Sequence, residues 1–216
     1  MTHHTHRYLG NALFPVICEA WNVTLSRKRF ISGSVKPDFS SLFIRHPHFW
    51  RLSRKFIFKK IRKISKRPIR PGKKNGRFSE DLGVILHYVA DFFTSVHNVT
   101  PNPIGEHLRF EAKLHEDFVR MVSEGTLRTA LCLIRGTARK PYVAEADRER
   151  SDDDERDSIN AVLKELHGRY IPEKNLPLAD VREILVACLA VTARVMDAAT
   201  ANASAARIAS ERRARA

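Results

Sequence analysis

An all-α multi-helix bundle around a buried polynuclear metal site is the fold this 216-residue sequence predicts. Three observations lead there. No run of alternating Val, Ile and Thr is long enough for a sheet, and apolar residues recur at helical spacing along most of the chain. In addition, histidines and carboxylates pair at a separation of four, at His87/Asp91 and again at His107/Glu111. On a helix that separation stacks two side chains on one face, within reach of a single ion. Gly-rich phosphate loops, a Gly-x-Ser-x-Gly elbow and Cys-x-x-Cys pairs are absent.

The chain opens Met1-Thr2-His3-His4-Thr5-His6, a His cluster too interrupted for a purification tag. Ser34-Val35-Lys36-Pro37-Asp38 then places an acid directly after proline, at a turn. Arg45-His46-Pro47-His48 follows, and chemistry alone does not choose between His46 and His48 as a ligand. From about Phe49 to Ser65, Trp50, Phe56, Ile57, Ile61 and Ile64 recur at helical spacing. This amphipathic helix turns Arg51, Arg54, Lys55, Lys59, Arg62, Lys63 and Lys66 outward or to the rim. Pro68, Pro71, Gly72, Asn75 and Gly76 make a basic loop after it.

The Leu82-to-His97 segment is the most informative. Val84, Ile85, Leu86, Val89, Ala90, Phe92 and Phe93 surround His87 and Asp91, so this helix is expected to be buried. A lone His/Asp pair is ordinarily a surface ion pair, but a buried carboxylate costs several kcal/mol (~3–5) unless paired or metal-bound. No Lys or Arg lies between Asp81 and Pro103 to neutralise it, so the cation must come from elsewhere. His97 follows six residues after Asp91. The next helix carries His107 and Glu111, continues its apolar stripe through Leu114, Phe118 and Met121, and ends near Ser123-Glu124-Gly125.

Beyond that point the chain offers little chemistry. A short helix is expected over 126–136, and residues 145–157 carry eight acids and three Arg as an exposed run. Two amphipathic helices follow, over 157–168 and 178–199, separated by Pro172 and Pro177. The Ala- and Arg-rich end is a solvated helix or frayed tail. We divide the chain into a metal-binding helical domain, 1–125, and a C-terminal helical extension, 126–216, with about seven or eight helices in all.

Taken together, the order Asp, His, His-x3-Asp-x5-His, His-x3-Glu resembles the zinc-dependent phospholipase C family. The superfamily also holds the P1-type nucleases and the phospholipase C/D domain of glycosylphosphatidylinositol-specific phospholipase D. The resemblance runs over roughly residues 1–125 and rests mainly on the central block. It implies a bundle of the phospholipase C/P1 nuclease type holding two or three Zn2+ ions. By the resemblance, Asp38, His48, His87 and Asp91 match the ligands of one zinc, with Asp91 bridging to a neighbour. His97, His107 and Glu111 match a second set, and His6, with His4 as its alternative, matches the early histidine of a third. The secreted enzymes complete that third site with the amine and carbonyl of an N-terminal Trp. This chain has no Trp there, and removal of Met1 before the small Thr2 would expose a different amine.

The chemistry expected of such a site is phosphodiester hydrolysis. Zinc on imidazole and carboxylate with an open position lowers the pKa of its water to about 7, giving metal-bound hydroxide at neutral pH. Asp38 is the carboxylate best placed to accept the water's proton, as the catalytic residue. Between Arg45 and Arg77 there are fourteen Lys and Arg and no acid, equal to the whole net charge of +14. That patch is either a solvated face or an attractor of polyanions, with Arg51, Arg54 and Lys55 as candidate substrate-binding residues. The expected partner is a phospholipid or another phosphodiester, at an anionic membrane surface. The alternatives are a P1-like single-strand nuclease, with Trp50, Tyr88, Phe92 and Phe93 as the aromatic candidates for stacking bases, and a non-catalytic, metal-stapled protein binding membrane or nucleic acid through its basic face.

With 43% hydrophobic residues the chain can bury a substantial core. No signal peptide and no transmembrane segment is read from it. Cys18, Cys132 and Cys188 read as reduced core residues, and the expected location is cytoplasmic with peripheral membrane contact.

Overall fold

The computed structural model describes residues 1–70, 72–98, 103–138, 152–172 and 176–214, and among these the chain forms helices and no strand. Helix α1 spans His3–Ala20, α2 Arg27–Val35, α3 Leu42–Arg45, α4 Trp50–Ser65 and α5 Gly76–Phe92. After these come α6 at Ile104–Met121, α7 at Glu124–Ala138, α8 at Asp152–Arg169 and α9 at Pro177–Ala214. Two 3-10 turns, Lys36–Phe39 and Ser95–His97, join α2 to α3 and α5 to α6. The all-α expectation is met.

Helix α5 is the centre. From Leu82 to Phe92 every residue is buried, as an apolar run with no charged face requires. Helices α2, α4 and α9 pack around it, and α1 lies across α2. The α2–α5 crossing is closest because Gly33 and Gly83 face backbone: a Cβ at Gly33 would overlap the Glu80 carbonyl, and one at Gly83 the Phe30 carbonyl. Neither neighbour can swing aside as a side-chain tip would. Gly83→Ala is therefore expected to cost about 3 kcal/mol or more, read as a lowered midpoint of chemical denaturation. It should also weaken metal loading, because the same crossing sets the Ser34 carbonyl against His87.

Helix α1 begins at Thr2, whose Oγ accepts the Thr5 N–H at 3.2 Å. His6, Leu9, Leu13 and Val16 then form its buried stripe. Helix α4 obeys its amphipathic pattern. Ile57, Ile61 and Ile64 are buried, Trp50 meets Phe92 edge-on at 5.2 Å, and Lys59, Arg62, Lys63 and Lys66 are exposed. Lys60 and Arg67 turn to Asp81 instead and tie α4 to α5. Three expectations need correction: Met121 is 39% exposed, Cys132 is exposed, and His97 stands on its own 3-10 turn rather than on α5. The helix stops at Phe92 because the Asn98 amide donates to the Phe92 and Thr94 carbonyls, capping a terminus that lacks glycine.

Helix α9 is long and apolar enough to cross a membrane by length and composition, but more than half of its apolar window is buried in the bundle, as in a core helix. Its last turns, from Ser204, are exposed. The acidic run is divided: residues 145–151 lie outside the described residues, and 152–157 open α8.

His167 on α8 has a structural place. Its ring stacks on Trp50 at 4.0 Å, nearly parallel, and burial lowers its pKa to about 4. The unfolded chain takes up this proton near pH 6.5, whereas the folded chain resists until about pH 4. The stability that this neutral ring confers is thus complete above about pH 6.5 and lost as pH falls toward about 4. After discounting for partial exposure, His167→Gln is expected to remove on the order of 1–2 kcal/mol of that acid sensitivity. Melting temperatures of wild type and variant at either end of the window check it.

Candidate metal centre

Eight sequence-predicted ligands, His6, Asp38, His48, His87, Asp91, His97, His107 and Glu111, meet in three groups, two of which share His87. The groups are His6/His87/Asp91, Asp38/His48/His87 and His97/His107/Glu111, with ligand atoms inside each group within 4.8 Å of one another. They arrive from α1, the first 3-10 turn, the α3–α4 segment, α5, the second 3-10 turn and α6.

Asp91, fully buried, is the hub. Its Oδ2 faces His48 Nδ1 at 3.0 Å and His87 Nε2 at 3.3 Å. Its Oδ1 faces His6 Nε2 at 3.3 Å and His97 Nε2 at 3.5 Å. One carboxylate thus offers an oxygen to each side, the geometry a bridging ligand needs. Burial opposes its charge, but the surrounding amine and imidazoles hold its pKa well below the usual carboxylate range.

The backbone sets the imidazoles. Ser34 presents its carbonyl to His87 Nδ1 at 2.9 Å, which makes that nitrogen the donor and leaves Nε2 free for a ligand role. His48 is aimed by its flanks: the Tyr88 hydroxyl donates to the His46 carbonyl at 2.6 Å, and the buried Ser53 hydroxyl donates to the Pro47 carbonyl. His46 lies flat on Phe56 at 3.8 Å, so of that pair it is His48 that faces Asp91. His4 is exposed beside His3, whereas His6 is 1% exposed and stacked on His87 at 3.7 Å. Burial holds the His87 and His97 rings neutral well below their ordinary range, His97 down to about 4, as metal ligation requires.

The cation that the sequence around Asp91 lacks is the Met1 amine. It lies 2.6 Å from Asp91 Oδ1, 2.9 Å from Glu111 Oε1 and 2.8 Å from His97 Nε2. Burial alone would lower its pKa, but Asp91 and Glu111 outweigh that and raise it to about 10. Burial would likewise raise Glu111, but His97 and the ammonium keep it well below its usual range. A backbone amine carries no side-chain signature, so residue patterns do not reveal it.

The donors fit a metal. His6 Nδ1 and Asp38 Oδ2 are buried without a hydrogen-bond partner, an arrangement that is costly unless something binds there. Exposure rises from Asp91 and His87 at 0% through His97 at 10% and Asp38 at 18% to His107 at 27%, which marks the open side. Asp38 Oδ1 lies 3.6 Å from His87 Nε2 and 3.8 Å from His48 Nδ1, and burial raises its pKa. Among the described residues, no ion pair links Arg51, Arg54 or Lys55 to these carboxylates. Arg51 and Lys55 are exposed, and Arg54 donates to the Arg51 carbonyl at 2.8 Å.

A second residue hidden from the sequence is Asp180, at the start of α9. Its buried carboxylate accepts from Ser95 N–H at 2.6 Å, Ser95 Oγ at 2.8 Å and Tyr170 Oη at 2.7 Å. It caps from outside the turn that carries His97. Burial pushes its pKa up to about 6 against those donors. Asp180→Ala is expected to weaken metal binding at the His97 set about tenfold, in line with supporting residues elsewhere. Asp180→Asn, which still accepts from Ser95 N–H, should recover part of that. Chelator competition on both variants checks it.

The zinc dependent phospholipase C family matches residues 1–176. No curated protein and no solved structure matches the chain.

Proposed function

The chain belongs to the zinc-dependent phospholipase C family, and from that premise we propose that it is a phosphoric diester hydrolase acting on phospholipids with two or three zinc ions. The observation that carries the reading is Asp91, which divides its two oxygens between His48/His87 and His6/His97. His6, Asp38, His48, His87, Asp91, His97, His107 and Glu111 would hold the ions, with the Met1 amine as a ninth donor once deprotonated. When bound, zinc supplies Lewis acidity, offsetting phosphodiester charge and lowering the pKa of a coordinated water toward neutrality.

The chain's own residues do the rest. Asp38, on the open side with Oδ2 unpartnered, is the carboxylate placed to take the proton of the attacking water. Asp91 and the Ser34-oriented His87 fix the donor geometry before substrate arrives, so no reorganisation is needed during reaction. Exposed Arg51 and Lys55 draw an anionic lipid toward the mouth, with Arg54 at the edge of that face.

The aromatic candidates for base stacking are withdrawn from the surface, Tyr88, Phe92 and Phe93 being 0% exposed and Trp50 stacked on His167, so any stacking at the mouth would fall to Phe39 and Phe49. We further propose a cytoplasmic location with peripheral membrane contact, a reading supported by the three free cysteines. The test is to incubate zinc-loaded protein with phosphatidylcholine, phosphatidylinositol or single-stranded DNA, with and without chelator. Chelator-sensitive release of diacylglycerol and a phosphorylated headgroup is expected. DNA cleavage with intact lipid would replace this reading by the nuclease one, and no turnover at all would leave a metal-stapled binding protein.

A further inference from the structure

Three elements that each send a ligand inward also set an apolar residue outward beside it. Asp38 is followed by Phe39, His48 by Phe49 and His107 by Leu108, which are 69%, 39% and 59% exposed. Phe39 and Leu108 are mostly in water and Phe49 is partly so. Three more stand around them. Ile44 is on α3, which packs on the turn bearing Asp38; Leu52 is one turn beyond Phe49; and Ile104 is one turn before His107. The ligands they flank include the most accessible of the set, Asp38 and His107, and the Phe49 ring lies 6.1 Å from that of His97. The apolar residues therefore border the open side of the centre.

The same border is cationic. Arg45, Arg51 and Lys55 are exposed on the segments that carry Ile44 and Leu52, and no acid occurs between residues 45 and 77. On α6, Glu106 and Arg109 contribute one charge of each sign. An apolar rim with a basic skirt matches an anionic bilayer, in which side chains enter the acyl boundary while cations stay at headgroup level. Each basic residue so placed strengthens binding about fivefold. What sets these six apart from exposed apolar residues elsewhere, such as Leu133, Ile171 and Ile208, is that they adjoin the segments whose ligands converge on one centre.

We propose that Phe39, Ile44, Phe49, Leu52, Ile104 and Leu108 form a docking surface that seats the mouth of the metal centre on an anionic lipid bilayer. This deepens the phospholipid reading and rests on it for the substrate. Docked this way, the site meets a phosphodiester at headgroup depth without withdrawing the lipid into water.

The experiment separates binding from catalysis by using a bilayer that contains no phosphodiester. Zinc-loaded full-length protein is sedimented with vesicles of galactosyl diacylglycerol containing about 30 mol% sulfoquinovosyl diacylglycerol, an anionic lipid. Hydrolysis of soluble bis(p-nitrophenyl) phosphate is measured in parallel. Wild type is expected to bind, more weakly as salt rises. The triple variant Ile44→Ser/Leu52→Ser/Ile104→Ser, all exposed positions, is expected to bind at least about tenfold less while hydrolysing the soluble ester at the wild-type rate. Absence of wild-type binding, or equal binding by the variant, overturns the proposal. So does a concentration-dependent dimer, abolished by the variant, in a protein that ignores vesicles, because the face then seats a second copy. Vesicle binding without ester hydrolysis would instead leave the docking surface standing and remove the hydrolase reading.

Discussion

Asp91→Asn is expected to strip the centre of metal and to lower phosphodiester hydrolysis at least about a thousandfold, roughly 4 kcal/mol of transition-state stabilisation. The substitution keeps the shape of the side chain and removes only its charge, at a position with no solvent access. It affects both sides of the cluster at once, because Oδ2 serves His48 and His87 while Oδ1 serves His6, His97 and the Met1 amine. Replacing a ligand on the accessible side, such as His107→Asn, should by contrast spare the Asp38/His48/His87 group and leave at least one ion bound. The metal-free Asp91→Asn protein is also expected to lose about 3–5 kcal/mol of stability, because the buried ammonium keeps only Glu111 as a carboxylate partner. Elemental analysis of the purified variant, with turnover and denaturation measured on the same sample, checks all three expectations. A variant that retains two equivalents of zinc and wild-type turnover would remove Asp91 from the hub.

His87 and Asp91 were legible in the sequence because the pair sits four residues apart inside an unbroken apolar run with no nearby Lys or Arg. A carboxylate buried there needs a cation brought from elsewhere. Helix α4 was legible for a related reason: its Ile and aromatic stripe alternates with cations at a period that only a helix satisfies. The supports of the site were not. The Asp180 carboxylate reaches Ser95 across 85 positions, from a helix whose Ala and Val residues announce only packing. Local periodicity also misjudged Met121, on the α6 stripe, because it assigns a face to each helix without saying how far along the helix a partner extends, and the apolar neighbours of Cys132 did not fix which face of α7 it takes. The break before His97 was hidden for a different reason. It depends on the Asn98 side chain capping carbonyls, where the sequence lacks the usual glycine signal. Patterns thus located the charged residues in need of partners, while the contacts that hold them came from distant chain or from backbone.

Blocking the Met1 amine, by Nα-acetylation or by a residue added before it, is expected to remove one metal equivalent and to lower turnover about a hundredfold. The amine is enclosed by Asp91, Glu111 and His97, and Met1 as a whole is 4% exposed, so an added residue must disturb these contacts. A chain beginning at Thr2 should fail in the same way, because its amine retreats by about 3.8 Å and Thr2 is already engaged as the cap of α1. The sign of the pH dependence follows from the amine's pKa, raised from 8.0 to about 10 in the folded protein. The folded state holds this proton more tightly, so in the metal-free protein the ammonium contributes stability that is complete below about pH 8. That stability, about 2–3 kcal/mol, is lost as pH rises through about 10. Metal must displace the same proton, so affinity at this position should climb nearly tenfold per pH unit up to about 10. Free-amine protein released from a fusion directly before Met1, compared with its acetylated form, separates these effects. Denaturation of the metal-free pair should converge above about pH 10, and zinc affinities should diverge there. Equal metal content and parallel pH profiles in the two forms would show that the amine is a structural counter-ion to Asp91 and Glu111 and no part of the metal centre.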